Sequence, residues 1–202
     1  MRNIFISWVV LLILLPLFVN AATITVGPDD CSASAVNAAI SRASAGDIIE
    51  LTCTGTIIWN AQVNLKGGKT LKGPGSKALN SWSLVIDSTA SGVDAIIAIT
   101  NVANQEVNRV TGLRLRGGSG AAFGISATGA GVGKDGNGAF RIDNNYLDDL
   151  TVNSRILWLD GNEGKLTGLV DHNILINFVD NTFYISFIAY IFSLQPDLFS
   201  DI

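Results

Sequence analysis

Short apolar runs alternate with glycine, asparagine and aspartate along the chain from Asp47 to Phe178. Each run has the length of a β-strand, and turn residues bound it on both sides. The intervals leave almost no room for crossover helices, which excludes a doubly wound α/β fold. The pattern therefore predicts an all-β protein, and on spacing alone both a solenoid and a β-sandwich fit it.

Internal repetition favours the solenoid. Three six-residue segments superpose, and they begin at Leu113, Phe140 and Gly168, at offsets of about 27 and 28 residues. A period between about 20 and 50 residues is typical of solenoids, whose stacked coils share one continuous core. The alignment ends each segment on a turn residue, so that one column contains Gly118, Asn145 and Asn173.

This column has a physical reason. A tight turn between two strands needs a residue that tolerates the left-handed region, and glycine and asparagine both do. Stacked asparagine side chains also hydrogen-bond from one coil to the next. We therefore expect Asn145 and Asn173 to form a ladder inside the turn.

One amphipathic helix precedes the strands. Val36, Ala39 and Ile40 recur at helical spacing, Ser34 is a candidate N-cap, and Gly46 follows the last helical residues. The pattern predicts a cap helix near residues 34–45.

The first 21 residues have the features of a secretory signal peptide. Arg2 supplies a positive charge, Ile4 to Val19 is almost wholly apolar, and small residues surround a cleavage point near Ala21. The apolar run is shorter than the roughly 20 residues of a membrane span, although an uncleaved anchor stays an alternative. We expect a secreted protein, extracellular or periplasmic.

The chain contains two cysteines, Cys31 and Cys53. An even number in an exported chain favours a disulfide between them. Their spacing does not correspond to a zinc site.

Several segments resemble the N-terminal part of pectate-lyase-like β-helix proteins: the cap helix, Gly46–Leu51, Lys69–Gly75, Phe140–Leu147 and Gly168–Leu175. The resemblance covers residues 22–178. It implies a right-handed parallel β-helix solenoid whose N-terminal α-helix lies over the open end of the first coil. It also implies carbohydrate as the ligand, and calcium as the ion with which lyases of this family hold acidic sugars.

The catalytic motifs of the family are missing. The lyases carry R-x-P-x-x-R, and the polygalacturonases carry N-T-D, G-H-G and R-I-K, none of which occurs here. We therefore expect no enzyme activity from this chain; were it an enzyme, it would be a polysaccharide lyase or a glycoside hydrolase.

The repeat alignment places three charged residues, Arg116, Asp143 and Asp171, in one outward-facing column. Neighbouring coils lie about 4.8 Å apart, so adjacent carboxylates repel unless a cation joins them. Calcium bound by Asp143 and Asp171 is one prediction, and an ion-pair ladder in which Arg116 neutralises Asp143 is the other. The same three residues, with His172, are the candidates for catalysis.

His172, the only histidine of the chain, is a candidate general base or simply a residue beside a turn. Asp148 and Asp149 have the composition of a glycosidase acid pair, yet two sequential aspartates more often form a solvated turn. Gly129 to Gly138 reads as a surface loop. Three aromatic residues suit either sugar stacking or a core position: Trp82, Tyr146 and Trp158.

Residues 179–202 form an atypical apolar tail without turn residues. We expect the regular coils to end near Phe178, and either the tail covers the last coil or the chain is truncated. The net charge of −4 and the lack of basic clusters argue against nucleic acid. The sequence favours a monomer that binds or acts on cell-wall or matrix polysaccharide; a non-catalytic, adhesin-like surface protein is the alternative.

Overall fold

The computed structural model describes residues 21–75, 81–102, 107–117, 120–129, 137–150, 155–160, 165–176 and 184–186. One helix within this part, α1, spans Ala33–Arg42. The strands are β1 Thr23–Val26, β2 Ile48–Leu51, β3 Gly55–Trp59, β4 Val63–Leu65, β5 Thr70–Lys72, β6 Leu84–Ser88, β7 Ser91–Val102, β8 Val107–Thr111, β9 Arg114–Gly117, β10 Gly120–Gly129, β11 Asn137–Asp143, β12 Tyr146–Leu150, β13 Arg155–Asp160, β14 Lys165–Asp171, β15 Ile174–Ile176 and β16 Tyr184–Ser186.

The strands form three parallel sheets, and the chain visits them in turn. The first sheet has the order β1-β2-β5-β8-β11-β14, the second β3-β6-β9-β12-β15 and the third β4-β7-β10-β13-β16. Each full coil contributes one strand to each sheet. This is a parallel β-helix, so the predicted fold class is confirmed.

Inward-pointing aliphatic side chains stack from coil to coil in every sheet. Because side chains alternate along a strand, each strand sends every second residue into the core. Burying each such side chain stabilises the fold by about 1.5–3 kcal/mol. The buried stacks include Ile49, Leu71, Val110, Ile142 and Val170 in the first sheet, Ile86, Leu115 and Leu147 in the second, and Ile97, Ile125 and Leu157 in the third.

The coils are unequal in length. In the first sheet, paired residues of successive strands are separated by 22 positions between β2 and β5, 39 between β5 and β8, 32 between β8 and β11, and 28 between β11 and β14. A fixed period of about 27 residues is therefore wrong for the earlier coils. Ile142 pairs with Val110 rather than with Leu115, which belongs to the second sheet.

The helix begins slightly earlier than the sequence indicates. Its N-cap is Ser32, whose side chain accepts a hydrogen bond from the Ala35 amide at 3.2 Å, so the prediction of Ser34 is wrong. The helix ends at the cap residue Ala43, and Gly46 lies in the following turn with a φ of 87°. The buried face packs on the core with Ala33, Val36, Ala39 and Ile40.

The disulfide between Cys31 and Cys53 is present, with a Cα–Cα distance of 6.2 Å. It joins the segment before α1 to the segment after β2. The Trp59 indole donates a hydrogen bond to the Cys31 carbonyl at 2.8 Å, which fixes the same segment to β3. The helix is therefore attached covalently to the first coil.

The third sheet continues past the boundary expected at Phe178. Strand β16 pairs in parallel with β13, and Ile185 lies opposite Leu159. The segment Tyr184–Ser186 therefore joins the third sheet, although the sequence there lacks turn residues. Residues 1–20 of the predicted signal peptide 1–21 and most of the predicted tail lie outside the described residues.

No helix in the described ranges has the length and apolar character that crossing a membrane requires.

Candidate functional site

A turn joins the first sheet to the second in successive coils, and it positions the candidate residues. Its left-handed residues are Gly112, Asn144 and His172, with φ values of 68°, 55° and 52°. Asn144 and His172 each lie one position before the asparagine that was predicted to adopt this conformation, so the left-handed prediction for Asn145 and Asn173 is wrong by one residue. His172 thus occupies a position that glycine and asparagine fill in the coils above it.

The asparagines that follow act through their side chains. Asn145 is buried, its Oδ1 accepts from the Leu113 amide at 3.1 Å, and its Nδ2 donates to the Val110 carbonyl at 3.0 Å. In the next coil, Asn173 Oδ1 accepts from the Asn145 amide at 3.0 Å. The ladder is confirmed for these two asparagines. Leu113 occupies the position assigned to Gly118, which lies outside the described residues.

Asp143 is fully buried on the outer side of the first sheet, beneath arginine side chains. Arg109 of β8 binds it through two hydrogen bonds, Nε to Oδ1 at 2.7 Å and Nη2 to Oδ2 at 2.6 Å. The Thr111 hydroxyl and the Asn144 amide donate to Oδ2 at 3.2 and 2.6 Å. Both carboxylate oxygens are therefore saturated with donors.

Asp171 lies opposite Asp143 in the next coil, as the repeat predicted. Arg141 lies between them, with Nε at 3.2 Å from Asp143 Oδ1 and Nη2 at 3.4 Å from Asp171 Oδ2. His172 Nδ1 lies 2.9 Å from the same Asp171 oxygen, and the imidazole is 63% exposed. The histidine therefore has a carboxylate that orients its ring.

Arg116 does not belong to this column. It lies on β9 of the second sheet and pairs with Asp87 at 3.1 Å. The unequal coils caused this error, because the alignment matched a second-sheet strand to first-sheet strands. Arg109, which sequence reasoning missed, precedes the inward Val110 just as Arg141 precedes Ile142.

These carboxylates do not fit a calcium site. Calcium needs free oxygen ligands, whereas both oxygens of Asp143 already accept hydrogen bonds from guanidinium and other donors. Two arginines beside the pair would also repel a dication. Within the described ranges, no three metal-ligating side chains gather.

The pKa of Asp143 reflects two opposing causes. Burial raises it, but the hydrogen bonds and charge of Arg109, with help from Asn144 and Arg141, outweigh burial and lower the pKa below its usual value. The same hydrogen bonds raise the pKa of Arg109. Asp143 is thus a structural group that is ionised at neutral pH, whereas a general acid must hold a proton there.

We expect Asp143→Asn to cost about 2 kcal/mol at neutral pH, since it removes charge-assisted hydrogen bonds. A carboxylate with a depressed folded-state pKa stabilises the fold above its unfolded pKa, which is about 3.9, and that contribution is lost as the pH falls through the folded value. The difference between parent and variant should therefore shrink below about pH 4 in urea titrations.

Glu50→Gln is the matched control, because the Glu50–Lys72 pair at 2.8 Å is largely exposed. Its cost should stay under about 1 kcal/mol. Equal costs for the two variants would show that Asp143 is not the buried anchor described above.

The outer face of the second sheet combines aromatic and charged groups. The rings of Trp82 and Tyr146 lie 5.9 Å apart at 52°, and the Arg114 guanidinium lies 5.0 Å from the centroid of the Tyr146 ring. Tyr146 is buried by these neighbours, whereas Trp82 is only half-buried. We call Trp82, Arg114, Tyr146 and Asp148 the aromatic platform.

Asp148 is not part of a solvated turn. It lies on β12 and binds Arg114 through Oδ2 at 2.6 Å and Oδ1 at 3.3 Å, with its side chain 10% exposed. The hydrogen bonds to Asp148 raise the pKa of Arg114. The side chain of Asp149 is outside the described set, so the pair predicted from sequence has one described member.

Trp158 lies apart from the platform. It is on β13 of the third sheet and packs on Ala95 and Ala98. The three aromatic candidates therefore separate into the pair Trp82–Tyr146 and a single residue on another face.

Fold and surface together define a parallel β-helix protein with a capping helix, an arginine–aspartate ladder on one face and an aromatic platform on the next. No protein-family model, curated protein or solved structure matched the chain in comparisons.

Proposed function

We propose that this protein is a secreted, non-catalytic β-helix protein that binds cell-wall or matrix polysaccharide on the outer face of its second sheet. The observation that carries the proposal is the aromatic platform. A half-exposed indole beside an arginine–aspartate pair offers an apolar ring face together with hydrogen-bond donors and acceptors. A pyranose ring is complementary to this surface, because its C–H face packs on the indole and its hydroxyl groups form the hydrogen bonds.

The shape of the surface supports a polymeric ligand. The second sheet runs through five stacked strands, and neighbouring strands lie about 4.8 Å apart. Such a sheet gives a long, regular surface on which a chain of sugars can lie across several coils. The Cys31–Cys53 disulfide supports the oxidising compartment that secretion implies.

The state of the acidic residues supports binding over catalysis. A general acid needs a raised pKa, whereas the pKa of Asp143 is lowered. Asp87, Asp148 and Asp171 are each paired with an arginine. Their structural pairing also suits the alternative of an adhesin-like surface protein, for which the polysaccharide is an anchor.

One observation favours a catalytic alternative. The Asp171 carboxylate contacts Nδ1 of His172 and orients the exposed ring, as a carboxylate does for a histidine that acts as a general base. Incubation with polygalacturonate and calcium distinguishes the two proposals. A steady increase in the absorbance of unsaturated products, abolished in His172→Ala, would establish a lyase; we expect no increase.

Binding is tested by affinity electrophoresis through gels that contain soluble polysaccharides. We expect Trp82→Ala to weaken binding about tenfold, equivalent to about 1.4 kcal/mol, because it removes the accessible ring of the platform. Trp158→Ala is the matched control, since it removes an indole from the third sheet. Both variants are first compared with the parent by circular dichroism.

If Trp82→Ala binds as tightly as the parent while Trp158→Ala loses binding, the site is on the third sheet. If neither variant nor the parent is retarded by any polysaccharide, the proposed function is wrong.

A further inference from the structure

We propose that the polysaccharide held by the aromatic platform is uncharged. This inference rests on the proposed function and names its ligand class. It rests on how the charged side chains are distributed over the outer faces of the first and second sheets.

The cations on these faces are matched by carboxylates. Among the strand residues of the first and second sheets whose side chains the structure describes, each Lys or Arg with an exposed portion has an acidic partner within 3.4 Å. The pairs are Lys72–Glu50, Arg109–Asp143, Arg114–Asp148, Arg116–Asp87 and Arg141–Asp171.

A polyanion gains little from such a surface. A polyanion is attracted by a net positive charge on the protein surface. Here five cations lie beside five carboxylates, so these pairs leave no net positive charge. The chain as a whole carries a net charge of −4, which opposes a polyanion further. For Arg114 to bind a uronate closely, it would have to release Asp148, whose side chain is only 10% exposed. That release would leave a nearly buried carboxylate without its partner.

Hydroxyl groups avoid this conflict. A sugar hydroxyl both donates and accepts, so it can bond to a guanidinium edge and to a carboxylate without separating them. Arg114 and Arg116 keep 24% and 36% of their side-chain surface exposed, and their acids keep 10% and 33%. The Arg116–Asp87 pair thus offers both of its members to a neutral ligand, and the Arg114–Asp148 pair offers mainly its guanidinium edge.

The test uses polymers that share a backbone and differ in charge. Hydroxyethyl cellulose is compared with carboxymethyl cellulose, and methyl-esterified polygalacturonate with polygalacturonate, by affinity electrophoresis at low and high salt. We expect the uncharged member of at least one pair to bind at least about tenfold more tightly, with less than about a twofold change between the two salt concentrations.

Tighter binding of the anionic member, weakened strongly by salt, would overturn the inference and leave the proposed function standing. Absence of binding to all four polymers would overturn the proposed function and this inference with it.

Asp87→Asn tests the cause. The variant leaves Arg116 with an unneutralised charge at a half-exposed position, where the fold should tolerate the change. The ratio of anionic to uncharged affinity should rise about fivefold over the parent. An unchanged ratio would show that charge pairing does not set the preference, and would overturn the argument.

Discussion

Asn145→Leu is expected to lower the free energy of unfolding by about 3 kcal/mol, because it removes two buried hydrogen bonds between the Asn145 side chain and the backbone. The side chain of Asn145 accepts a hydrogen bond from the Leu113 N–H at 3.1 Å and donates one to the Val110 carbonyl at 3.0 Å. Leucine has a similarly branched side chain but is larger, and it offers neither group. Urea unfolding of parent and variant measures the difference.

Asn144→Gly is the control for this variant. Asn144 is exposed, adopts a φ of 55° and precedes the ladder by one residue. Glycine tolerates this conformation, so the change should cost less than about 1 kcal/mol, mainly for the lost hydrogen bond to Asp143. If the two substitutions cost the same, the hydrogen bonds of Asn145 do not hold the coils together.

Removal of the disulfide is the second large effect. Cys31 and Cys53 are 22 positions apart in sequence, and a disulfide that closes a loop of this size stabilises the fold by about 3 kcal/mol in the chain-entropy treatment. The double variant Cys31→Ala/Cys53→Ala should therefore melt about 10 °C lower than the oxidised parent. Differential scanning calorimetry under non-reducing conditions measures the shift.

The reduced parent provides the matched control. It should melt close to the double variant, and the variant should not respond to reductant. Peptide mapping without reduction should recover one peptide pair that contains both cysteines. Two free thiols in protein from an oxidising compartment would contradict the assignment.

Sequence reasoning predicted the features that depend on local chemistry. The strands followed from apolar runs between turn residues, and Asn145 and Asn173 were placed in the ladder because asparagine suits a stacked turn. The cap helix was placed to within a few residues. Ser32 and Ser34 both suit an N-cap, and a spacing of two residues does not distinguish them.

The features that depend on register were harder to predict. Coils of 22 to 39 residues do not keep a fixed period, so Arg116 was assigned to the column of Asp143 and Asp171, although the β8 residue in that column is Thr111. The contact between Trp82 and Tyr146 crosses coils whose lengths differ, and a single sequence carries no direct signal for it. The sequence therefore predicted which residue types belong to the candidate site, but it did not predict correctly which of them lie next to each other.

The unequal coils have a consequence for how such a protein can change over evolutionary time. Register in the first sheet is kept while coil length nearly doubles, and by loop-closure entropy the longer connection costs only about 0.5 kcal/mol. Insertions and deletions between strands are thus almost neutral for folding. A lineage can remodel the rims of its binding face, one connection at a time, while the scaffold beneath them stays the same.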